Sequence, residues 1–498
     1  MNVNPITRLD YPDPDVIRVE DTYYMVSTTM HFMPGCEILQ SFDLVHWEHV
    51  TYVYETLDHT DAQQLKSGQN IYGQGMWAAS LRYHEGRFYI CFVANDTRKT
   101  YLYTSEKIDG PWKKQLIEGF YHDASLLFDE DGRNYIVYGN DEIWITELNE
   151  DLTAPKKDGL HRLLVSDHKN PELGYEGSHI QKINGYYYIF LVHSLRDRWM
   201  RTEACFYSDS LEGEFTGGDV LCDDRGYCGQ GVAQGGIVDT PDGKWYAMLF
   251  QDSGAVGRIP ILLPVTWKDH FPFFGQNGHV PEEIEVHSTR PGYIYQPLVG
   301  SDDFCNGLLP RWQFNHDPDP RYYHLDALQG TYTITTREVC TELTQAVNTL
   351  TQRMSYPSCA AEVTVDASAL KEGDVAGLCA LQSCYAAVGI TKHHGKYEVL
   401  MLDKKEDGIL DMTEGTVVES HQMDFRLEAD FCNMKDEARC YYRVNKGDWL
   451  PIGTVHKLYF KLDHFTGCRF GLFCYAAEET GGSACFRDFK YYDVDEIS

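Results

Sequence analysis

Leu126-Leu127-Phe128, then Asp131-Gly132, then Tyr135-Ile136-Val137: an apolar run, a tight acidic turn and an aromatic-rich return. An Asp-Gly pair between such runs is a strong hairpin signal, because glycine supplies the positive φ that a tight turn demands. The pattern recurs on both sides of this stretch. Val16-Ile17-Arg18-Val19 turns at Glu20-Asp21 into Tyr23-Tyr24-Met25-Val26, and Leu81-Arg82-Tyr83 turns at Glu85-Gly86 into Phe88-Tyr89-Ile90. Ile180 leads through Asn184-Gly185 to Tyr186-Tyr187-Tyr188-Ile189, and Ile237-Val238 through Asp242-Gly243 to Trp245-Tyr246-Ala247-Met248. Further strand signals lie between the hairpins, such as Ile38-Leu39-Gln40-Ser41 before Trp47, Leu102-Tyr103-Thr104-Ser105 before Trp112, and Phe206-Tyr207-Ser208 before Phe215. The sum is about four strands per unit of roughly 45–65 residues, the size of a propeller blade. Residues 1–299 are therefore predicted to form a five-bladed β-propeller in an all-β protein.

The repeat stops near Pro297-Leu298-Val299-Gly300. Later runs such as Ala361-Glu362-Val363-Thr364-Val365, Tyr397-Glu398-Val399-Leu400-Met401 and Phe470-Gly471-Leu472-Phe473 alternate like half-buried strands. Residues 300–498 are predicted to form one β-sandwich. No low-complexity linker separates the two parts, so they are expected to pack firmly together.

The net charge of −32 argues against nucleic acid and anionic membranes, which need a basic footprint. Residues Met1 to Tyr11 lack the basic start and apolar core of an export signal, and no run approaches a membrane span. The 15 cysteines include no Cys-x-x-Cys pair, which disfavours a zinc cluster and suits buried thiols in a cytoplasmic protein.

Just upstream of the five hairpins stand Asp13, Trp77, Asp123, Glu176 and Gln234. In a closed propeller these equivalent positions converge on the axis. An acid beside Pro or Gly is, taken singly, an ordinary turn residue; three at equivalent places point to a catalytic site. Inverting hydrolysis of a glycoside uses two carboxyl groups, one a base for water and one an acid for the leaving oxygen, about 6.5–9.5 Å apart. A third carboxylate beside the acid favours its protonated form. Asp15, shifted by two from Asp13, reads as structural.

Tyr11-Pro12-Asp13-Pro14-Asp15, His122-Asp123-Ala124-Ser125-Leu126 and Tyr175-Glu176-Gly177-Ser178-His179 resemble, in order and spacing, the motifs of glycoside hydrolase family 43. Met33-Pro34-Gly35-Cys36-Glu37-Ile38, Trp77-Ala78 and Val256-Gly257-Arg258 fall where that family has comparable segments. The second half, with Trp312-Gln313-Phe314-Asn315-His316, resembles the accessory domain of the family's exo-acting members, a concanavalin-like jelly roll. The resemblance implies Asp13 as general base, Glu176 as general acid and Asp123 as the residue that orients the acid and tunes its proton affinity. Phe32, after the first hairpin, Trp77 and Gln234, at equivalent places in the repeat, and Arg258 are candidate substrate contacts, and the resemblance favours that role for Arg258. Trp77 reads equally well as propeller core, and Arg258 as a domain-interface ion pair. Many family members carry a His where this chain has Gln234, sometimes with a bound calcium. Gln is a poorer metal ligand, so no metal and no cofactor is expected to be required, with a hydrated calcium near the axis left open.

These readings converge on an exo-acting, inverting hydrolase that releases terminal α-L-arabinofuranosyl or β-D-xylosyl units from small neutral oligosaccharides. The alternatives are β-xylosidase as the main activity, a non-catalytic carbohydrate-binding propeller, a retaining fructan-type hydrolase and an endo-arabinanase. A homo-oligomer is left open.

Overall fold

In the computed structural model, residues 2–413 and 415–493 are described; residue 1 and residues 494–498, the outer limits of the predicted domains, lie outside them. Five antiparallel four-stranded sheets follow one another along the chain. The innermost strands of blades 1 to 5 are Asp15–Val19, Met76–His84, Ser125–Phe128, Glu176–Ile183 and Val232–Asp239. Each pairs with the second strand of its predicted hairpin. At Glu85-Gly86 and Asn184-Gly185 both turn residues have positive φ, 48° with 79° and 50° with 84°, the tight geometry that matches the twist of the flanking strands. Asn2–Val3 pairs with Glu283–Ile284, which fastens the start of the chain to the segment leaving blade 5.

The second half is a sandwich of a nine-stranded and a seven-stranded sheet. Strand Glu437–Val444 shows why the sheets stack: Ala438, Cys440 and Tyr442 are buried on one face while their neighbours are not. These side chains join Leu378, Val388, Phe425, Leu472 and Phe486 in one apolar core. One strand of the nine belongs to the propeller half: Phe32–Met33 pairs with Gln313–Asn315, Phe314 opposite Met33 and Asn315 opposite Phe32. A buried ion pair crosses the same seam, Arg353 Nη1 standing 2.9 Å from Glu37 Oε2. The two halves thus share backbone pairing as well as side-chain contacts.

Candidate active site

The innermost strands do not begin as regular β. Asp13, Asp123 and Gln234 have φ of 52°, 48° and 64°, a left-handed conformation that costs free energy in non-glycine residues and gathers at functional sites. Blades 2, 4 and 5 carry register shifts between Met76 and Ala79, Glu176 and His179, and Ala233 and Gly236. Such bulges re-aim side chains. Here they turn the leading residues of the blades toward the axis.

Asp13 is buried, with its carboxyl fixed on both sides. Thr28 Oγ1 donates to Oδ2 at 2.6 Å, and Arg258 Nη1 donates to Oδ1 at 3.1 Å. Asp123 is buried and accepts from the Gly177 amide at 3.0 Å. Glu176, partly open to solvent, accepts from Asn140 Nδ2 at 2.9 Å. His122 Nε2 lies 3.6 Å from Asp123 Oδ2 and 3.5 Å from Glu176 Oε2. The ligand-type atoms of His122, Asp123 and Glu176 all lie within 4.8 Å of one another; Asp13 stands outside this trio. Burial, with Glu176 and Asp13 adding to it against the opposing pull of His122, raises the Asp123 carboxyl to about 6. Burial alone would lower His122, but Asp123 and then Glu176 outweigh it and push the imidazole up to about 9. At neutral pH the pair of carboxyls therefore shares a site with an imidazolium. That cation already supplies positive charge where the cluster of N and O donors would otherwise suit a metal ion.

The walls come from several blades and from the sandwich. The half-buried Trp77 ring sits 5.8 Å from His122 and 5.5 Å from Phe465. Phe465, from the sandwich, lies under the Arg258 guanidinium at 4.3 Å, so a residue from the second half borders the arginine that holds Asp13. Arg258 is thus ion-paired with Asp13 and reaches the sandwich through the ring and carbonyl of Phe465, not through the interface ion pair offered by the sequence. The backbone N–H of Gln234 donates to Oε2 of the buried Glu203 at 2.7 Å. Its side chain packs on Gly177, whose φ is +65° and where a Cβ would come within 2.8 Å of Gln234 Cγ. Only glycine fits there, directly after the predicted acid.

Phe32 requires a correction. It is wholly buried among sandwich residues, including Leu343, Val375, Tyr385 and Phe473, with the Arg469 guanidinium 3.5 Å above its ring. Its strand pairing draws it away from the pocket, so it lines no sugar site. His122 was quoted in the motif but given no role; its place beside Asp123 was the available signal. Phe465 carried none, since its contacts are remote in sequence.

Beneath the carboxylates the axis is filled by protein. Arg82 donates to Asp15 Oδ2 at 2.8 Å, Ser125 Oγ at 2.6 Å, Leu126 O at 2.9 Å and Ile180 O at 3.2 Å, joining blades 1, 3 and 4. Asp15, 1% exposed, also faces His179 Nδ1 at 3.0 Å and is a structural counter-ion. A cavity of about 440 Å³ opens on the other side of Arg82, but its charges are spent in pairs, Arg18 with Asp239 and Lys182 with Asp129 and Glu130.

Residues 3–272 match the model of the glycosyl hydrolases family 43, and residues 301–492 that of the beta xylosidase C-terminal concanavalin A-like domain. A solved structure of a bifunctional GH43-CE protein of Bacteroides eggerthii superposes over 100% of this chain with a TM-score of 0.93 and 42% identity. The match covers 64% of that longer protein. A family-43 enzyme engineered to show both endo-xylanase and exo-arabinofuranosidase activity aligns over 99% of both chains, with 27% identity and a TM-score of 0.88. A Beta-xylosidase of Formosa agariphila is 26% identical over 99% of this chain and 89% of its own length. With one family model covering the propeller and a second covering the sandwich, the chain belongs to glycosyl hydrolases family 43.

Proposed function

We propose that this protein is an exo-acting, inverting hydrolase that removes a terminal α-L-arabinofuranosyl or β-D-xylosyl unit from short, hemicellulose-derived oligosaccharides. The observation that carries the reading is the division of the acids. Glu176 and Asp123 share a cluster with His122, whereas Asp13 stands apart, held by Arg258 and Thr28. Asp13 takes a proton from water as the oxygen attacks the anomeric carbon. Glu176 gives its proton to the departing glycosidic oxygen as that bond breaks, and the sugar leaves with inverted configuration. The His122 imidazolium then faces the carboxylate that Glu176 has become. Phe465, from the sandwich, stands against Trp77 and Arg258 on one flank of the acids, which supports attack on chain ends. The β-xylosidase and exo-arabinofuranosidase named among the relatives support the pentose class.

Acting on imported oligosaccharides in the cytoplasm, without a required metal, completes the proposal. Its support is that all 15 cysteines are free and nine are buried, as suits a reducing compartment. Among the described residues no helix is long and apolar enough to cross a membrane. The test is hydrolysis of p-nitrophenyl α-L-arabinofuranoside and β-D-xylopyranoside, with Asp13→Ala and Glu176→Ala alongside and the product anomer followed by NMR. Activity on either substrate, cut by about 10²–10⁴-fold in each variant with the inverted anomer formed first, is the expected result. A folded protein inactive on both, or retention of configuration, refutes it.

A further inference from the structure

Eight of the nine tryptophans are buried or half-buried, and one, Trp199, is 44% exposed. Single exposed apolar side chains are ordinary on protein surfaces, so exposure by itself carries no meaning. Position does. In blade 4, Glu176 pairs with Val192 and Ser194 pairs with Arg201, so the turn Leu195–Met200 projects from the end of the blade that bears the acid. Trp199 is the exposed aromatic side chain of this turn, two residues before the buried Arg201.

The turn is also braced. Arg196 binds Asp167 and reaches the Lys169 carbonyl, Asn170 Nδ2 donates to Ser194 O at 2.9 Å, and the Leu195 amide donates to Met200 O at 3.0 Å. The Arg201 guanidinium lies 5.2 Å from the Trp199 ring centre and 5.3 Å from that of Phe250, and it is bound by Asp252 of blade 5. Phe250 in turn lies 5.5 Å from Arg258, the residue that holds Asp13. The indole therefore stands on a braced turn beside a guanidinium whose neighbours lead back to Asp13, with area left open to solvent. Rigid aromatic surface costs little entropy to use in binding.

We propose that Trp199 is the stacking platform for the first sugar of the leaving group, a neutral pyranose on the far side of the scissile bond from the terminal pentose. This rests on the hydrolase reading above. The C–H face of a pyranose covers the indole while its hydroxyls stay in water, and the adjoining Arg198 offers donors to them. The platform makes the enzyme selective for oligosaccharides over simple glycosides of the same terminal sugar.

The test compares kcat/KM for a pentosyl-xylose disaccharide with that for the methyl glycoside of the same pentose. In Trp199→Ala the ratio is expected to fall about tenfold, chiefly through KM, and Trp199→Phe is expected to recover most of it. An unchanged ratio, whether both substrates suffer equally or neither does, overturns the proposal. If the wild-type protein cleaves neither substrate, the hydrolase reading falls separately. Calorimetric titration with xylotriose then decides about Trp199: binding weakened about tenfold in Trp199→Ala upholds the platform, and unaltered binding overturns it.

Discussion

Replacing Arg82 by Met removes the guanidinium that plugs the propeller axis while keeping a long apolar stem. Five hydrogen bonds vanish, to Asp15, Ser125, Ile180, Leu126 and the Leu81 carbonyl. Asp15, 1% exposed, keeps only the Leu81 amide at 2.7 Å and His179 as partners. Breaking a buried pair from one side costs about 3–5 kcal/mol, and each orphaned carbonyl costs about 1–3 kcal/mol more. The cavity beneath, lined by Arg82 itself, lets water reach the abandoned acceptors, so a total near 3–5 kcal/mol is expected. Removing the stranded charge as well, in Arg82→Met/Asp15→Asn, should return about 2 kcal/mol, a coupling normal for contacting residues. Urea unfolding of the two single variants and the double at pH 7 measures the cycle. A loss under about 1 kcal/mol in Arg82→Met, or strict additivity in the double, refutes the reasoning. The sign with pH is fixed. Burial pushes the Asp15 carboxyl up, but Arg82 and then His179 outweigh it and hold it below its ordinary 3.8. Its stabilisation is present above pH 3.8 and is lost as pH falls through the folded value, and without Arg82 that loss sets in at higher pH.

Three further outcomes are expected. Phe465→Ala should lower kcat/KM about tenfold, mostly through KM, by removing the sandwich wall and the face on which Arg258 rests; unchanged kinetics would exclude Phe465 from the pocket. A chelator should leave activity intact, since a cation on the axis below the acids would meet the Arg82 guanidinium; loss of activity restored by calcium would show otherwise. The third concerns His31, His316 and His464, which pack with Tyr72 at the seam between the halves, ring centres 4.6–5.1 Å apart from Tyr72. Burial lowers His464 to about 3, so its neutral form stabilises the fold and the benefit is lost as pH falls below 6.5. Relative to wild type, His464→Phe should gain about 2 kcal/mol between pH 8 and pH 5. A stability difference independent of pH would contradict this.

What could be read from sequence divides by the range of the forces involved. Asn184-Gly185 and Glu85-Gly86 announced their hairpins because turn geometry is decided by two adjacent residues. The placement of Asp13, Asp123 and Glu176 at the heads of three blades was recoverable because a repeat converts equal spacing into a shared position in space. Phe32 was misplaced because strand pairing with Asn315 is set across nearly 300 residues; its local sequence looks like any loop beside a pocket. Phe465 was invisible for the same reason. Arg82 did leave a trace, since a lone charge between Leu81 and Tyr83 in an apolar strand demands a partner, and Asp15 was the acid read as structural.

The two-residue strand Phe32–Met33 makes this chain a poor source of interchangeable cassettes. A cut after the fifth blade takes away the backbone partner of that strand, the cover over Phe32, the Arg353 mate of Glu37 and the Phe465 wall in a single stroke. Recombination with a relative must therefore exchange segments 28–37, 313–316, 353 and 464–469 as one block. The seam that a designer would choose by reading along the chain is not the seam along which the molecule can be divided.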